Sequence, residues 1–374
     1  MNITIAHTNA IKNFSAEWDA ILPLHHHLNA KHLQAFELSR VEDVQPHYVK
    51  VFFDNEYVGI IYLQLFNLNR KHINFNNSSS FITKCVQAIL PKNLTILICG
   101  HLFRIHFKGY YFKNEAYNTH IFTCINIFAN QYNKPSGILV KDANHKFDEK
   151  IYKHKGYRFF DADATMDVYR RQTWLTFENY LADLNKKYLQ RAKKIIKSFD
   201  GINVIELTAE EILQNSSNIT LLYNNVVNKQ TIKLGYVNAA YFYNLKNSLG
   251  NNFELLGIYK NEIMIGFYTF IFYDTEMETH FIGLNYEENK THNLYFNILF
   301  LGIKKMIEKG YNSLEFGRTA KDAKINVGAT QSQIINYIKV KNYFGKVILN
   351  CILSMFKKTE INIDAIRHPL KIEK

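Results

Sequence analysis

Three titratable side chains in or beside two strand-like runs are candidates for chemistry. His280 lies within METHFIGLN (277–285), Tyr286 follows that run directly, and Glu315 lies within NSLEFG (312–317). A general base belongs at a strand end that faces a cleft, so these three are the candidate catalytic residues. In a two-residue period His280, Ile282 and Leu284 share one face, as do Leu314 and Phe316. Glu315 therefore points away from the apolar pair, into a cleft or into solvent. The competing readings are a salt-bridged strand residue for Glu315, a surface imidazole for His280 and a turn aromatic for Tyr286. Arg318 follows Gly317 at a strand's C-terminal end, where α/β folds place ligands, and a guanidinium there can grip a phosphate or carboxylate with two prongs. Its other reading is a strut for the 319–329 loop, to which Lys324 adds charge. Lys187 and Arg191 lie one helical turn apart on a basic face. They are candidates for the same anionic substrate, or part of a solvated face. His25, His26, His27 and His32 are too close in sequence to converge readily on one ion, and no metal is expected.

The elements that position these residues occur twice. VFFDNEYVGIIY (51–62) and GIYKNEIMIGFY (257–268) each place an Asn-Glu pair between β-prone runs, Asn55-Glu56 and Asn261-Glu262, and each resumes with a glycine, Gly59 and Gly266. That pattern predicts two hairpins. LTILICGHL (94–102), a helix over 115–131 and a strand over 136–141 follow the first. METHFIGLN, a helix over 292–309 and NSLEFG follow the second. The expectation is an α/β chain with mixed sheets and two homologous domains, 1–170 and 171–374. Further helices are predicted over 30–38, 75–90, 210–229, 238–249 and 346–358. The stripe Leu181, Leu184, Tyr188, Ala192, Ile195, Phe199 predicts a helix across 181–199, and 334–341 reads as a last strand.

The bulk numbers fit two domains of ordinary size. Of 374 residues, 47% are hydrophobic and 21% charged, which allows a sizeable core and excludes global disorder. The start of the chain lacks the pattern of a signal peptide. Four cysteines without CxxC spacing read as reduced thiols in a cytoplasmic protein. The net charge of +12 favours an anionic partner such as a nucleotide, a carrier's phosphopantetheine, tRNA or a lipid headgroup, or else a generally basic surface. No P-loop, dinucleotide fingerprint or nucleophile elbow occurs, and no DNA-binding pattern.

The order helix, helix, hairpin, strand, helix, strand resembles the GNAT acyltransferase fold. Two such units resemble the FemABX group, which attaches amino acids to peptidoglycan precursors from aminoacyl-tRNA. GYNSLEFGRTAKDAKINVGA (310–329) looks like the strand-and-loop segment of bacterial FemAB-like proteins. NKKYLQRAKKIIK (185–197), LTILICGHLF (94–103) and GILVKDAN (137–144) resemble other parts of that group. The glycine-rich pyrophosphate loop of the GNAT pattern is missing, and NKTHNLYFN (289–297) stands there instead. The resemblance implies a cleft between splayed strands 277–285 and 312–317 and an acyltransferase with no tightly bound cofactor. Its co-substrate is expected to be a thioester on CoA or an acyl carrier protein. Backbone amides near Gly283, Leu284 and Asn285 are the expected oxyanion donors. The helix opening at His292-Asn293 is the expected phosphate site. The acceptor is expected to be an amine on a small molecule, lipid or peptide. The alternatives are aminoacyl transfer from tRNA and a non-catalytic module that binds an anionic metabolite or headgroup, with peripheral membrane contact.

Overall fold

The computed structural model describes residues 1–24, 26–72, 94–160, 164–230, 236–340, 346 and 369–372. The expected helices over 75–90 and 346–358 lie outside these residues, apart from Lys346. The chain forms two compact units: Met1–Asp163 with Gln230–Val237 and Ile334–Thr359, and Ala164–Lys229 with Asn238–Gln333 and Glu360–Lys374.

The first unit is a mixed sheet ordered β1-β2-β3-β4-β6-β15-β7, with β5 also on β3. Its strands are β1 (Ile3–Thr8), β2 (Val44–Phe53), β3 (Glu56–Leu68), β4 (Leu94–Cys99), β5 (Tyr110–Phe112), β6 (Gly137–Val140), β7 (Arg158–Phe160) and β15 (Asn336–Val340). Helices α1 (Ser15–Ala20), α2 (Ala30–Leu38), α3 (Ile121–Phe128) and α4 (Glu149–Lys153) belong to the same unit. The predicted helix over 115–131 is a 3-10 turn at Glu115–His120, then α3, then a π turn at Ala129–Asn133. One face of the sheet buries Val49, Ile61, Leu97 and Val140 against Phe122 and Ile125 of α3.

The second unit's sheet runs β9-β10-β11-β12-β13-β8-β14. Its strands are β8 (Ala164–Tyr169), β9 (Asn203–Glu206), β10 (Phe253–Lys260), β11 (Ile263–Phe272), β12 (Glu276–Leu284), β13 (Ser313–Glu315) and β14 (Thr330–Gln333). The helices are α5 (Phe177–Asp183), α6 (Lys186–Lys197), α7 (Ala209–Gln214), α8 (Ser216–Val227), α9 (Ala239–Leu249), α10 (Tyr286–His292), α11 (Leu294–Lys309) and α12 (Lys321–Ile325). Met277, Leu314 and Val168 form a buried apolar row with Ile298 and Ile303 of α11. Burial favours the proton on Glu254, but hydrogen bonds from Lys305 and Lys309 of α11 outweigh it and lower the pKa overall, tying β10 to that helix.

Apart from β5, the two sheets match strand for strand, and each contains one parallel pair, β4/β6 and β12/β13. Both predicted hairpins form, with two-residue turns that need positive φ twice: Asp54 and Asn55 (47° and 72°), Asn261 and Glu262 (47° and 65°). Val51 pairs with Gly59 and Ile258 with Gly266, each beside a register shift. The glycines are therefore equivalent, but the Asn-Glu pairs are offset by one residue. Glu56 already belongs to β3, whereas Glu262 is still in its turn, because turn geometry fixes register and side-chain identity does not.

Other helices are shorter than the periodicity suggests. The stripe across 181–199 breaks at Leu184, which is extended and bridges Leu370. The helix expected over 210–229 is α7 and α8, with Asn215 between them. Thr208 caps α7 in a capping box with Glu211. The helix expected from His292 starts at Leu294, because Asn293 is left-handed and His292 ends α10. The loop after Arg318 contains α12, and β14 precedes the predicted last strand.

Candidate active site

The parallel ladder between β12 and β13 has three register pairs and ends at Glu278↔Glu315. Beyond that pair β13 stays with β8, where the Phe316 N–H donates to Met166 O at 2.8 Å. β12 runs on for six residues to Leu284. Within that extension two residues, His280 and Phe281, oppose one residue of β11, Thr269. The Thr269 hydroxyl fills the gap, accepting from the Phe281 N–H at 2.8 Å and donating to Phe281 O at 3.0 Å. Such a bulge re-aims side chains.

His280 is held at both ring nitrogens. Nδ1 donates to Glu278 Oε1 at 2.8 Å, and Nε2 lies 2.6 Å from the Tyr241 hydroxyl of α9. A carboxylate at Nδ1 selects the tautomer in which Nε2 accepts the tyrosine proton. The imidazole is fully buried, and Tyr241 is buried as well. Register places Glu278, Glu315 and Asp167 side by side on β12, β13 and β8, all buried. Thr165, two residues before Asp167, donates its hydroxyl proton to Glu315 Oε1. Lys324, only 2% exposed, donates to Gly317 O at 2.9 Å. Burial and then the charge of Glu278 push the Glu315 carboxyl up; Thr165 and Lys324 oppose this. Burial pulls the Lys324 ammonium down, against the attraction of Glu315 and Asp167. Tyr241, His280, Glu278, Glu315, Asp167 and Lys324 thus form one charged network across three strands. Among the described residues no three His, Cys, Asp or Glu side chains are grouped to hold a metal ion.

Of the sequence candidates, the structure brings His280, Glu315 and Lys324 together. Arg318 is half-buried and close enough to depress Lys324 further. Tyr286 opens α10 with the Lys229 amine 3.1 Å above its ring. Gly283 allows close packing: a Cβ there would lie 2.2 Å from the Phe267 ring and 2.9 Å from the Leu222 backbone. The Leu284 carbonyl accepts from Asn225, and the Asn285 N–H donates to Ile265 O at 2.9 Å. The Asn285 side chain caps α10. His292 donates from Nδ1 to Ser198 O, and Asn293 donates to Ser198 Oγ. Lys187 and Arg191 are exposed on α6, and the Arg191 guanidinium lies 4.9 Å from the Phe296 ring centre.

Glu278, Tyr241, Asp167, Thr165 and Thr269 were missed. Glu278 was legible, two residues before His280 on the same strand face. The others come from segments that only the fold brings near.

The first unit has the same scaffold, but the equivalent row is apolar; its buried ion pair, Lys141 and Asp142 at 3.5 Å, comes directly after β6. Gln64 and Ile271, each five residues past its hairpin glycine, pair with Ile98 and Glu278. The row equivalent to Glu278–Glu315–Asp167 is therefore Ile98–Leu139–Ile338. Opposite Tyr62, the counterpart of Thr269, residues 100–109 leave the sheet where the second unit has its bulge.

No protein-family model matches the sequence, and no curated protein does. Solved structures match at low identity. FemX is 12% identical, covering 94% of this chain and 100% of its own, with a TM-score of 0.55. A conserved Bacteroides thetaiotaomicron protein of unknown function is 11% identical over 90% of this chain and 100% of its own, with a TM-score of 0.52. L-PGS from Bacillus licheniformis is 11% identical over 87% and 92%, with a TM-score of 0.52. These likenesses, with the doubled sheet order, establish that the chain has a FemAB-like tandem GNAT fold.

Proposed function

We propose that this chain is an N-acyltransferase that works in its second unit, where β12 and β13 part. The observation that carries this reading is the contrast between two equivalent rows. Three buried carboxylates in a sheet are expensive, at several kcal/mol each unless compensated. The first unit builds the same place from Ile98, Leu139 and Ile338, so the fold does not require charge there. Clustered, perturbed ionisable groups beside a strand opening are the signature of chemistry.

The reaction joins an amine nitrogen to an activated carbonyl carbon. The C–N bond forms, the C–S or C–O bond to the donor breaks, and one proton passes from the amine to the leaving group. The Tyr241–His280–Glu278 relay can handle that proton. The tyrosine oxygen takes it from the amine as its own proton passes to His280 Nε2, and Glu278 stabilises the resulting imidazolium. The return path protonates the leaving sulfur or oxygen. Glu315, biased toward its neutral form, keeps a second charge from building beside Glu278. Arg318, three residues past the end of β13, grips the anionic part of one substrate.

The donor we favour is a thioester on CoA or a carrier protein. A second reading, an aminoacyl ester on tRNA, gains support from the fold shared with FemX. Incubating the chain with labelled acyl-CoA, acyl carrier protein or charged tRNA, in the presence of amine acceptors, separates the two. Transfer from a thioester or from tRNA identifies the donor. Donor binding without transfer, unchanged in Glu278→Gln, would favour a non-catalytic binding module instead.

A further inference from the structure

We propose that α6 docks the protein on an anionic phospholipid surface. At 100° per residue, Lys186, Lys187, Arg191, Lys193, Lys194 and Lys197 fall within a roughly 160° arc of this helix, and all six are exposed. No acidic residue occurs between Leu184 and Phe199, and among the described residues none of the six takes part in an ion pair. The opposite side is committed to the core: Ala192 and Ile195 are buried, with Tyr188, Leu189 and Ile196 packed beside them. The helix is about 18 Å long and presents a flat strip of positive charge with no apolar side left to insert. Contact is therefore electrostatic and reversible.

The kind of charge chooses the partner. Five of the six are lysines, whose ammonium groups act as point charges suited to a diffuse anionic surface. Sequence-tolerant RNA binding draws on arginine forks and open aromatic faces. Here the single arginine is already stacked over Phe296, the aromatic beside it. No helix among the described residues is long and apolar enough to cross a membrane, so docking of this kind would be peripheral.

The test is vesicle flotation of the full chain. Vesicles of phosphatidylcholine with about 30% phosphatidylglycerol should bind it, and phosphatidylcholine alone should not. Binding should be lost as salt rises from about 50 to about 500 mM. The variant Lys193→Gln/Lys194→Gln/Lys197→Gln should bind about a hundredfold more weakly, at roughly fivefold per charge. If that variant melts early, Lys194→Glu alone should still weaken binding at least fivefold. Absence of binding to the anionic vesicles overturns the proposal, as does unchanged binding by the folded variants. Displacement from vesicles by a structured RNA at lower concentration than the lipid would transfer the surface to RNA and overturn it too.

Discussion

Glu278 and Glu315 face each other across the last register pair of β12 and β13, immediately before the two strands part. Two carboxylates this close do not both ionise freely, and one is driven toward its neutral form. The pair joins the imidazole relay on β12 to Lys324 on α12. A parallel ladder that ends in two acids sets a polar pair at the point where the strands part.

Glu278→Gln removes the carboxylate that orients His280 and keeps its size. Turnover should fall roughly 100- to 10,000-fold, the usual range for a lost proton path. The fold should survive, because one of two facing charges is gone. A variant that melts at the wild-type temperature yet turns over normally would remove the relay from the mechanism.

Stability should depend on pH in two opposite ways. Glu315 holds its proton more tightly in the folded chain than the ordinary value of 4.5 implies. The unfolded chain then carries fewer protons above that value, so stability falls as the pH rises toward the folded pKa. Lys324 gives up its proton more readily when folded, below its ordinary 10.5. The unfolded chain then carries more protons, and stability rises again as the pH approaches 10.5. Melting temperature against pH should therefore dip between the two windows. The double variant Glu315→Gln/Lys324→Met should flatten the dip, and a wild-type curve parallel to the variant's would refute the assignment.

Arg318→Ala should weaken binding of the anionic substrate by about 1.5–3 kcal/mol, roughly ten- to a hundredfold in KM, with little change in Tm. Arg318→Lys keeps the charge but loses the fork, and should fall between. Full activity in both variants, with Tm lowered, would make the arginine a strut for the loop.

Gly283→Ala should destabilise the second unit by about 1–3 kcal/mol, read as a lower urea midpoint. The new methyl would meet the Phe267 ring and the backbone of Leu222 together. The ring can turn aside, but the helix backbone cannot. Wild-type stability would mean that β12 and α8 have more room than the geometry allows.

The doubled scaffold was legible because a hairpin leaves a local signature. Two residues at positive φ, a following glycine and β-branched flanks occur within a dozen positions, at Gly59 and again at Gly266. Helix periodicity was legible too, but breaks at Leu184, Asn215 and Asn293 follow from backbone conformations and contacts that a hydrophobic stripe does not encode. His280, Glu315 and Lys324 could be picked out one at a time from residue type and strand position.

Their convergence was not in the sequence. Asp167 precedes Glu315 by well over a hundred residues, and Tyr241 lies on a helix far from His280 in the chain. Both become neighbours because β8 closes on β13 and α9 packs beside β12. The bulge that re-aims His280 is one extra residue in a ladder, visible only once Thr269 has found its partner. The sequence by itself determined which segments pair locally and how often the motif occurs, since hairpin register and helix faces depend on near neighbours. Only the tertiary structure decided which repeat sets carboxylates side by side in its sheet, because that depends on long-range register and on burial that shifts each group's proton affinity.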